Sequence, residues 1–387
     1  MSEAGGSAQR RFRAAFMRGG TSKGLFFGAG VLPDDPAERD RVLIRAIGGG
    51  DPYGSEIDGL GGATSSTSKA VIVSPSDRAG YDVDYLFAQV GITAAAVDWT
   101  GSCGNLAAAV GPFAIEEGMV PAAGGLTTVR IWQQNTSKAI VAHVPTQAGR
   151  VVTEGDFRID GVPYPAAKIR LDFVDPGGSM TGRLLPSGNV VDELEVPGVG
   201  SVTATLIDAA NPCVLVAASD LGCTGTELPS QLNGDGEVLA RFEAIRASAA
   251  VAMGLAASVE EATRDHPANP KVAMVTAPCS HRAAGGRQIG QTDVELVVRM
   301  LSMGRVHHAL PGTGGVAVAV ATLVPDTVPF RAAAKPAEGL VRIGHSSGVI
   351  SVSADVGRAG DGWVARRATV WRSARRLMEG SVLVPAG

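Results

Sequence analysis

Cys103 sits in the run Gly101-Ser102-Cys103-Gly104-Asn105, directly before an apolar, alanine-rich stretch from Leu106 to Glu117. If that stretch is a helix, its free N–H groups favour an anion, and a thiol at its entrance is placed to give and take a proton. The commoner fate of a cysteine is to be a small inert packing group, and Cys213, Cys223 and Cys279 are read that way. Lys69 closes a polar run, Thr64 to Lys69, and leads into the apolar strand Ala70 to Val73. A lysine at the edge of a core loses solvation and becomes a base near neutral pH; the plain alternative is a surface lysine at a strand start. Arg18 and Lys23 flank Gly19-Gly20-Thr21-Ser22, two cations around a turn rich in N–H donors, which is either a carboxylate nest or an ordinary exposed hairpin turn. Ser302 to His308 is a second cationic cluster. His281 and His345 have no partner at metal-ligand spacing, so no metal is expected.

These residues need elements to hold them. Phe12 to Met17 and Leu25 to Phe27 read as strands around the glycine turn, Pro36 to Ile47 as a helix with proline in its first turn, and Val83 to Val90 as a strand. Leu106 to Glu117 has no polar face and reads as a buried helix stopped by Gly118. Strands are expected at Val129 to Trp132, Ala139 to Val144, Phe157 to Ile159 and Ile169 to Phe173. The Gly- and Pro-bearing segment Pro176 to Asn189 suggests a boundary, which divides the chain into 1–185 and 186–387. The second half repeats the plan. Strands are expected at Val202 to Ile207, Val214 to Ala217, Val272 to Val275, Val294 to Met300, Leu340 to Ile343, Val349 to Val352 and Ala368 to Trp371. Leu239 to Met253 reads as an amphipathic helix and Val316 to Leu323 as a second small, buried one. Laying Cys103-Gly104-Asn105-Leu106 on Pro311-Gly312-Thr313-Gly314 suggests an internal duplication, although glycine loops feeding alanine-rich helices also recur by chance.

Composition narrows the function. A chain of 387 residues suits two domains. Lys plus Arg is 34 against 38 for Asp plus Glu, with no basic run and only 5% aromatics, so nucleic acid is not an expected partner. An anionic substrate must then be attracted by local cations and N–H groups. Met1 to Arg13 is polar, unlike a secretory signal, and no apolar run is long enough to span a membrane. Four cysteines without C-x-x-C spacing fit a reducing, cytoplasmic setting. Gly19 and Gly24 begin a P-loop pattern, but Leu25 and Phe26 stand where Lys-Ser/Thr is required. Gly344-His345-Ser346-Ser347-Gly348 matches G-x-S-x-G, but no histidine follows to complete a hydrolase triad.

Several segments together resemble the PrpF family: Met17 to Gly24, Asp58 to Lys69, Asp98 to Leu106, Thr128 to Gln133, Ser302 to Ala309, Gly344 to Gly348 and Ser373 to Gly380. They cover nearly the whole chain in order. The resemblance implies the α/β (α+β) fold of diaminopimelate epimerase: two pseudo-symmetric domains, each a curved sheet around a central helix, with the active site between them and the terminal segment free to return to the first domain. It implies a cofactor-independent isomerase of unsaturated polycarboxylates that takes and returns an allylic proton. The expected activity is cis-trans isomerisation of 2-methylaconitate in propionate breakdown. An allylic isomerase or tautomerase of methylitaconate or 4-oxalomesaconate is the alternative, and a non-catalytic partner of an iron–sulfur dehydratase is the alternative of another class. Lys69 and Cys103 fall where the family has its proton-transferring pair, and Pro311 stands where a two-thiol epimerase has its second cysteine. The substrate-binding residues expected on this resemblance are Arg18, Gly19, Gly20, Thr21, Ser22, Lys23, Ser66, Ser68, Gly104, Asn105, Met303, Arg305, His308, Gly344, His345, Ser347 and Gly348. It also implies functional coupling to an aconitase-like dehydratase, and it leaves a homo-oligomer open.

Overall fold

The computed structural model describes residues 9–336 and 339–386. Most of the polar start read above, residues 1–8, therefore lies outside the described residues.

Each half is built to the same order. In the first, Arg10–Gly19 and Ser22–Gly28 form an antiparallel hairpin, and Lys69–Pro75 lies parallel to its second strand. Val83–Val90 pairs antiparallel with Lys69–Pro75, Gly125–Gln133 parallel with Val83–Val90, and Lys138–Gln147 antiparallel with that strand. In the second half, the hairpin is Gly200–Asp208 with Pro212–Ala217, and Lys271–Thr276 lies parallel to it. Leu296–Ser302 follows antiparallel, Leu340–His345 parallel and Gly348–Ala359 antiparallel. The match of strand directions step by step is the mark of a duplication.

Each sheet curls around one helix, Gly104–Glu116 or Gly312–Leu323. Both helices are apolar on all sides after their first residues, so neither has a face to offer water, and burial on every side follows. Residues 104 to 115 of the first and 312 to 322 of the second are all buried. An outer helix, Pro36–Ile47 or Gly236–Ala252, covers the back of each hairpin with its apolar side. The halves are stitched together twice. Ile169–Val174 pairs with Gly362–Arg372, and Ala374–Val384 returns along Arg10–Gly19 through ten paired positions, from Arg10 opposite Val384 to Gly19 opposite Ala374.

Three readings of the elements change. Phe157 to Ile159 is not a strand: it contributes a single bridge, Phe157 to Ala166. Pro163 and Pro165 in the returning limb lack the N–H groups a ladder needs. The second central helix begins at Gly312, four residues before Val316, because Gly312 to Gly315 are helical rather than loop. The strands Asp192–Val196 and Ala374–Val384 were not read: Asp192, Glu193 and Glu195 alternate with only two apolar residues in the first, and the second breaks the alternation by leaving Leu377, Met378 and Leu383 exposed beside Arg375 and Glu379.

Candidate active site

The two central helices meet start to start. A Cβ on Gly104 would lie 3.0 Å from the backbone N of Thr313, and one on Gly312 would lie 3.1 Å from the carbonyl carbon of Gly104. Two helix starts at this distance present converging N–H groups and two positive dipole ends, an arrangement that repels itself until an anion sits before it. In front of them lies a cavity of about 40 Å³, lined by residues of both halves, including Ser22, Lys69, Cys103, Lys271, His307 and Thr313.

Lys69 is the first residue of its strand and only 7% exposed. Its Nζ donates to Gln89 Oε1 at 2.5 Å, the residue opposite it in the sheet, and lies 4.8 Å from the centre of the Phe87 ring. Burial lowers its pKa to about 8; the nearby Cys103 and Asp98 oppose that shift, while Lys271 adds to it. The amine is therefore available as a base close to neutral pH. Cys103 caps the first central helix: its Sγ accepts from the Leu106 N–H at 3.5 Å, while its carbonyl accepts from the Tyr85 hydroxyl. Lys69 and Cys103 face one cavity.

Asn105 ties this floor to the glycine turn. Its Nδ2 donates to Thr21 Oγ1 at 3.0 Å and reaches Ser22 Oγ at 3.4 Å, and its Oδ1 accepts from the buried Arg372. Gly20 has φ +51°, and a Cβ there would lie 2.5 Å from Asn105 Oδ1, so glycine is required twice over.

Other expected residues stand elsewhere. On the hairpin, Arg18 is paired with Lys23 and Gly19 with Ser22. Side chains alternate between faces along a strand, so Ser22 faces the cavity and the two cations face away. Arg18 is held by Gly20 O and by the carbonyl and hydroxyl of Ser373, and Lys23 lies over the Phe16 ring. Ser68 donates to the buried carboxylate of Glu56, and Ser66 bonds Thr64, so this hydroxyl cluster shapes its own loop. Met303, with φ +54°, and Arg305 sit on the tight turn beyond Ser302 and line an adjoining groove with Trp99 and His266, which shares Gln89, Asp98 and Ala268 with the cavity. His308 is exposed, and its carbonyl accepts from Ser347. Gly344 to Gly348 is a hairpin turn between two strands, not a strand-to-helix elbow. His345 lines a second cavity with Thr21 and Arg372, and burial pushes its pKa down to about 3.

Lys271 was not singled out in the sequence, His307 only as part of the Ser302 to His308 cluster, and Thr313 only as the counterpart of Asn105 in the suggested duplication. Lys271 stands at an unremarkable strand start, and only the sheet register reveals its equivalence to Lys69. His307 is buried, and burial holds it well below the ordinary histidine range, hence neutral.

Among known proteins, the family described as PrpF protein matches residues 9–385. The chain is 48% identical to a 2-methyl-aconitate isomerase of Shewanella oneidensis, over 97% of this chain and 98% of the relative. It is 43% identical to a 3-methylitaconate isomerase of Eubacterium barkeri, over 98% of each. A crystal structure of methylitaconate-delta-isomerase superposes with a TM-score of 0.78 at 41% identity, covering 98% of this chain and 97% of that one. A hydroxyproline epimerase from Agrobacterium vitis shares the fold alone, with a TM-score of 0.56 at 14% identity, over 97% and 93% of the two chains. With a match running almost from end to end and relatives this similar, the chain belongs to the PrpF family.

Proposed function

We propose that this chain is an isomerase that shifts an allylic proton of an unsaturated polycarboxylate, with 2-methylaconitate as substrate and cis-trans isomerisation as outcome. The observation that carries the reading is a desolvated lysine and a helix-capping thiol facing one cavity, before two helix starts that call for an anion. The relatives named as isomerases of 2-methylaconitate and 3-methylitaconate support it.

The neutral Lys69 amine takes a proton from the CH₂ that is conjugated, through the C=C, to a carboxylate. The electron pair left behind spreads into that carboxylate as a dienolate, and the former double bond becomes single enough to rotate. Cys103 delivers a proton to the dienolate carbon, and the Lys69 ammonium then reprotonates the thiolate, so the site ends as it began. The N–H groups of both helix starts stabilise the charge while it exists. Return of the proton to the far carbon gives an allylic shift instead, a reading favoured by the likeness to methylitaconate-delta-isomerase. On this function, a dehydratase acts on the product and the setting is cytoplasmic. Among the described residues, no helix is long and apolar enough to cross a membrane.

Incubation with 2-methylaconitate and trans-aconitate in D₂O, followed by NMR, tests this. Deuterium should enter the methylene carbon and a second isomer should appear. Absence of exchange across a panel of unsaturated di- and tricarboxylates would refute it.

A further inference from the structure

The strand register sets the two halves in correspondence around the cavity. Lys69 opens the strand that lies parallel to the first hairpin, and Lys271 opens the strand that lies parallel to the second. Lys69 bonds Gln89, its neighbour across the antiparallel ladder; Lys271 Nζ reaches Ser302 Oγ, at 3.4 Å, in the same relation. Cys103 corresponds to Pro311, Gly104 to Gly312 and Asn105 to Thr313. All ten line the one cavity. The duplication has kept its lysine in both halves and its thiol in one.

The two lysines are differently furnished. Lys69 has a short bond to Gln89 and an aromatic face beside it. Lys271 has only two long contacts, 3.3 Å to Ala268 O and 3.4 Å to Ser302, and no carboxylate within ion-pair distance among the described residues. An ammonium with unfilled donors inside a protein calls for an anion. The helix start beside it is likewise unfilled: Pro311 offers no side-chain cap, whereas in the first half Cys103 Sγ takes up the Leu106 N–H. The second half thus brings an ammonium and free N–H groups to the cavity, where the first brings a base and a thiol.

Resting on the function given above, we propose that Lys271 is a catalytic cation: its ammonium binds the substrate carboxylate into which the dienolate charge moves, so that the first half moves protons and the second half holds charge. The groups that face Lys271 are Lys69, Asp98 and Cys103 from the first half, Cys213 on the neighbouring strand, and His307. Burial lowers its pKa, opposed by Cys213, Cys103 and Asp98.

The test uses propane-1,2,3-tricarboxylate, a saturated probe that binds without reacting, together with turnover and thermal midpoint. Lys271→Met should weaken calorimetric binding of the probe at least about tenfold and reduce turnover by roughly 10²–10³, the usual loss for one donor aimed at developing charge. Its thermal midpoint should not fall, because a buried charge has been removed. Lys271→Arg should regain part of the binding. In a Lys69→Met background, affinity for the probe should decline as pH rises from 7 to 10. In Lys69→Met/Lys271→Arg it should stay level, and since the pair differs only at position 271, the other titrating groups cancel. Probe binding by Lys271→Met equal to the unaltered protein's, or a lowered midpoint with binding lost equally in the arginine variant, would overturn the proposal. Failure of the isomerase reading is seen separately, as absence of proton exchange in the unaltered protein while probe binding still depends on Lys271.

Discussion

Lys69 is held in a place that disfavours its charge. With a pKa moved from 10.5 to about 8, the buried ammonium costs about 3 kcal/mol of stability at neutral pH. The sign follows from the proton count. Between pH 8 and 10.5 the unfolded lysine binds more protons than the folded one, so stability contributed at this site rises with pH across that window, and the penalty is complete below pH 8. Lys69→Met should therefore raise the thermal midpoint at pH 7, with a gain that shrinks as pH climbs toward 10.5, while abolishing proton exchange. Denaturant titrations at pH 7 and 10 check this. For Cys103→Ser, the expectation is an unchanged or higher midpoint, since serine is a good N-cap, with a large fall in turnover because a hydroxyl cannot give and take the proton at neutral pH. Near-normal turnover in that variant would make Cys103 a packing residue. These two positions, which the structure sets on one cavity, could be picked out of the sequence because their surroundings are local: a lysine ending a hydroxyl run, a thiol before an apolar helix. Arg18 and Lys23 were misplaced because their side of the hairpin depends on strand alternation, and Gly19 and Ser22 hold the inward face. Lys271 escaped notice because nothing in its own surroundings marks it.

The central helices were legible as elements because nothing in them could face water, and their glycine-led starts suggested a duplication. What they approach was not legible. Gly104 meets Thr313 across 208 positions of sequence, a contact visible only when both sheets have curled. Gly104→Ala places a methyl 3.0 Å from both the backbone N and Cγ2 of Thr313 and 3.1 Å from Phe173. Neither helix has room to retreat, being packed on all sides, so the two starts must separate. We expect a loss of about 1–3 kcal/mol in stability, typical of overpacking, and a larger proportional loss of turnover, since the converging N–H groups no longer reach one anion. Urea unfolding and steady-state kinetics on the single variant give both numbers. Ala374–Val384 was harder to read as a strand because it opens Ala-Arg-Arg and leaves Leu377, Met378 and Leu383 exposed, so apolar and polar residues do not alternate; its partner, Arg10–Gly19, lies near the opposite end of the sequence.

At the scale of the whole molecule, the duplication was readable in outline from two glycine-led helices, and the paired strand directions complete it. The cavity between the halves is about 40 Å³, on a measure by which one water takes roughly 10–15 Å³. For a space this small, we expect the halves to part as a tricarboxylate enters. The expected signature in stopped-flow tryptophan fluorescence is a binding rate that levels off with rising propane-1,2,3-tricarboxylate, limited by opening rather than encounter. A rate linear in probe up to its solubility would show a site already open. Pro311 bears on how this centre meets oxidants. With proline opposite, Cys103 is the only thiol lining the cavity, and the other three cysteines stand outside it. A reagent such as diamide, which joins thiols in pairs, finds no second sulfur to lock the halves shut. Activity should survive diamide and yield to peroxide, which oxidises a thiol singly: a chemistry of one sulfur is tolerant of disulfide stress and exposed to over-oxidation.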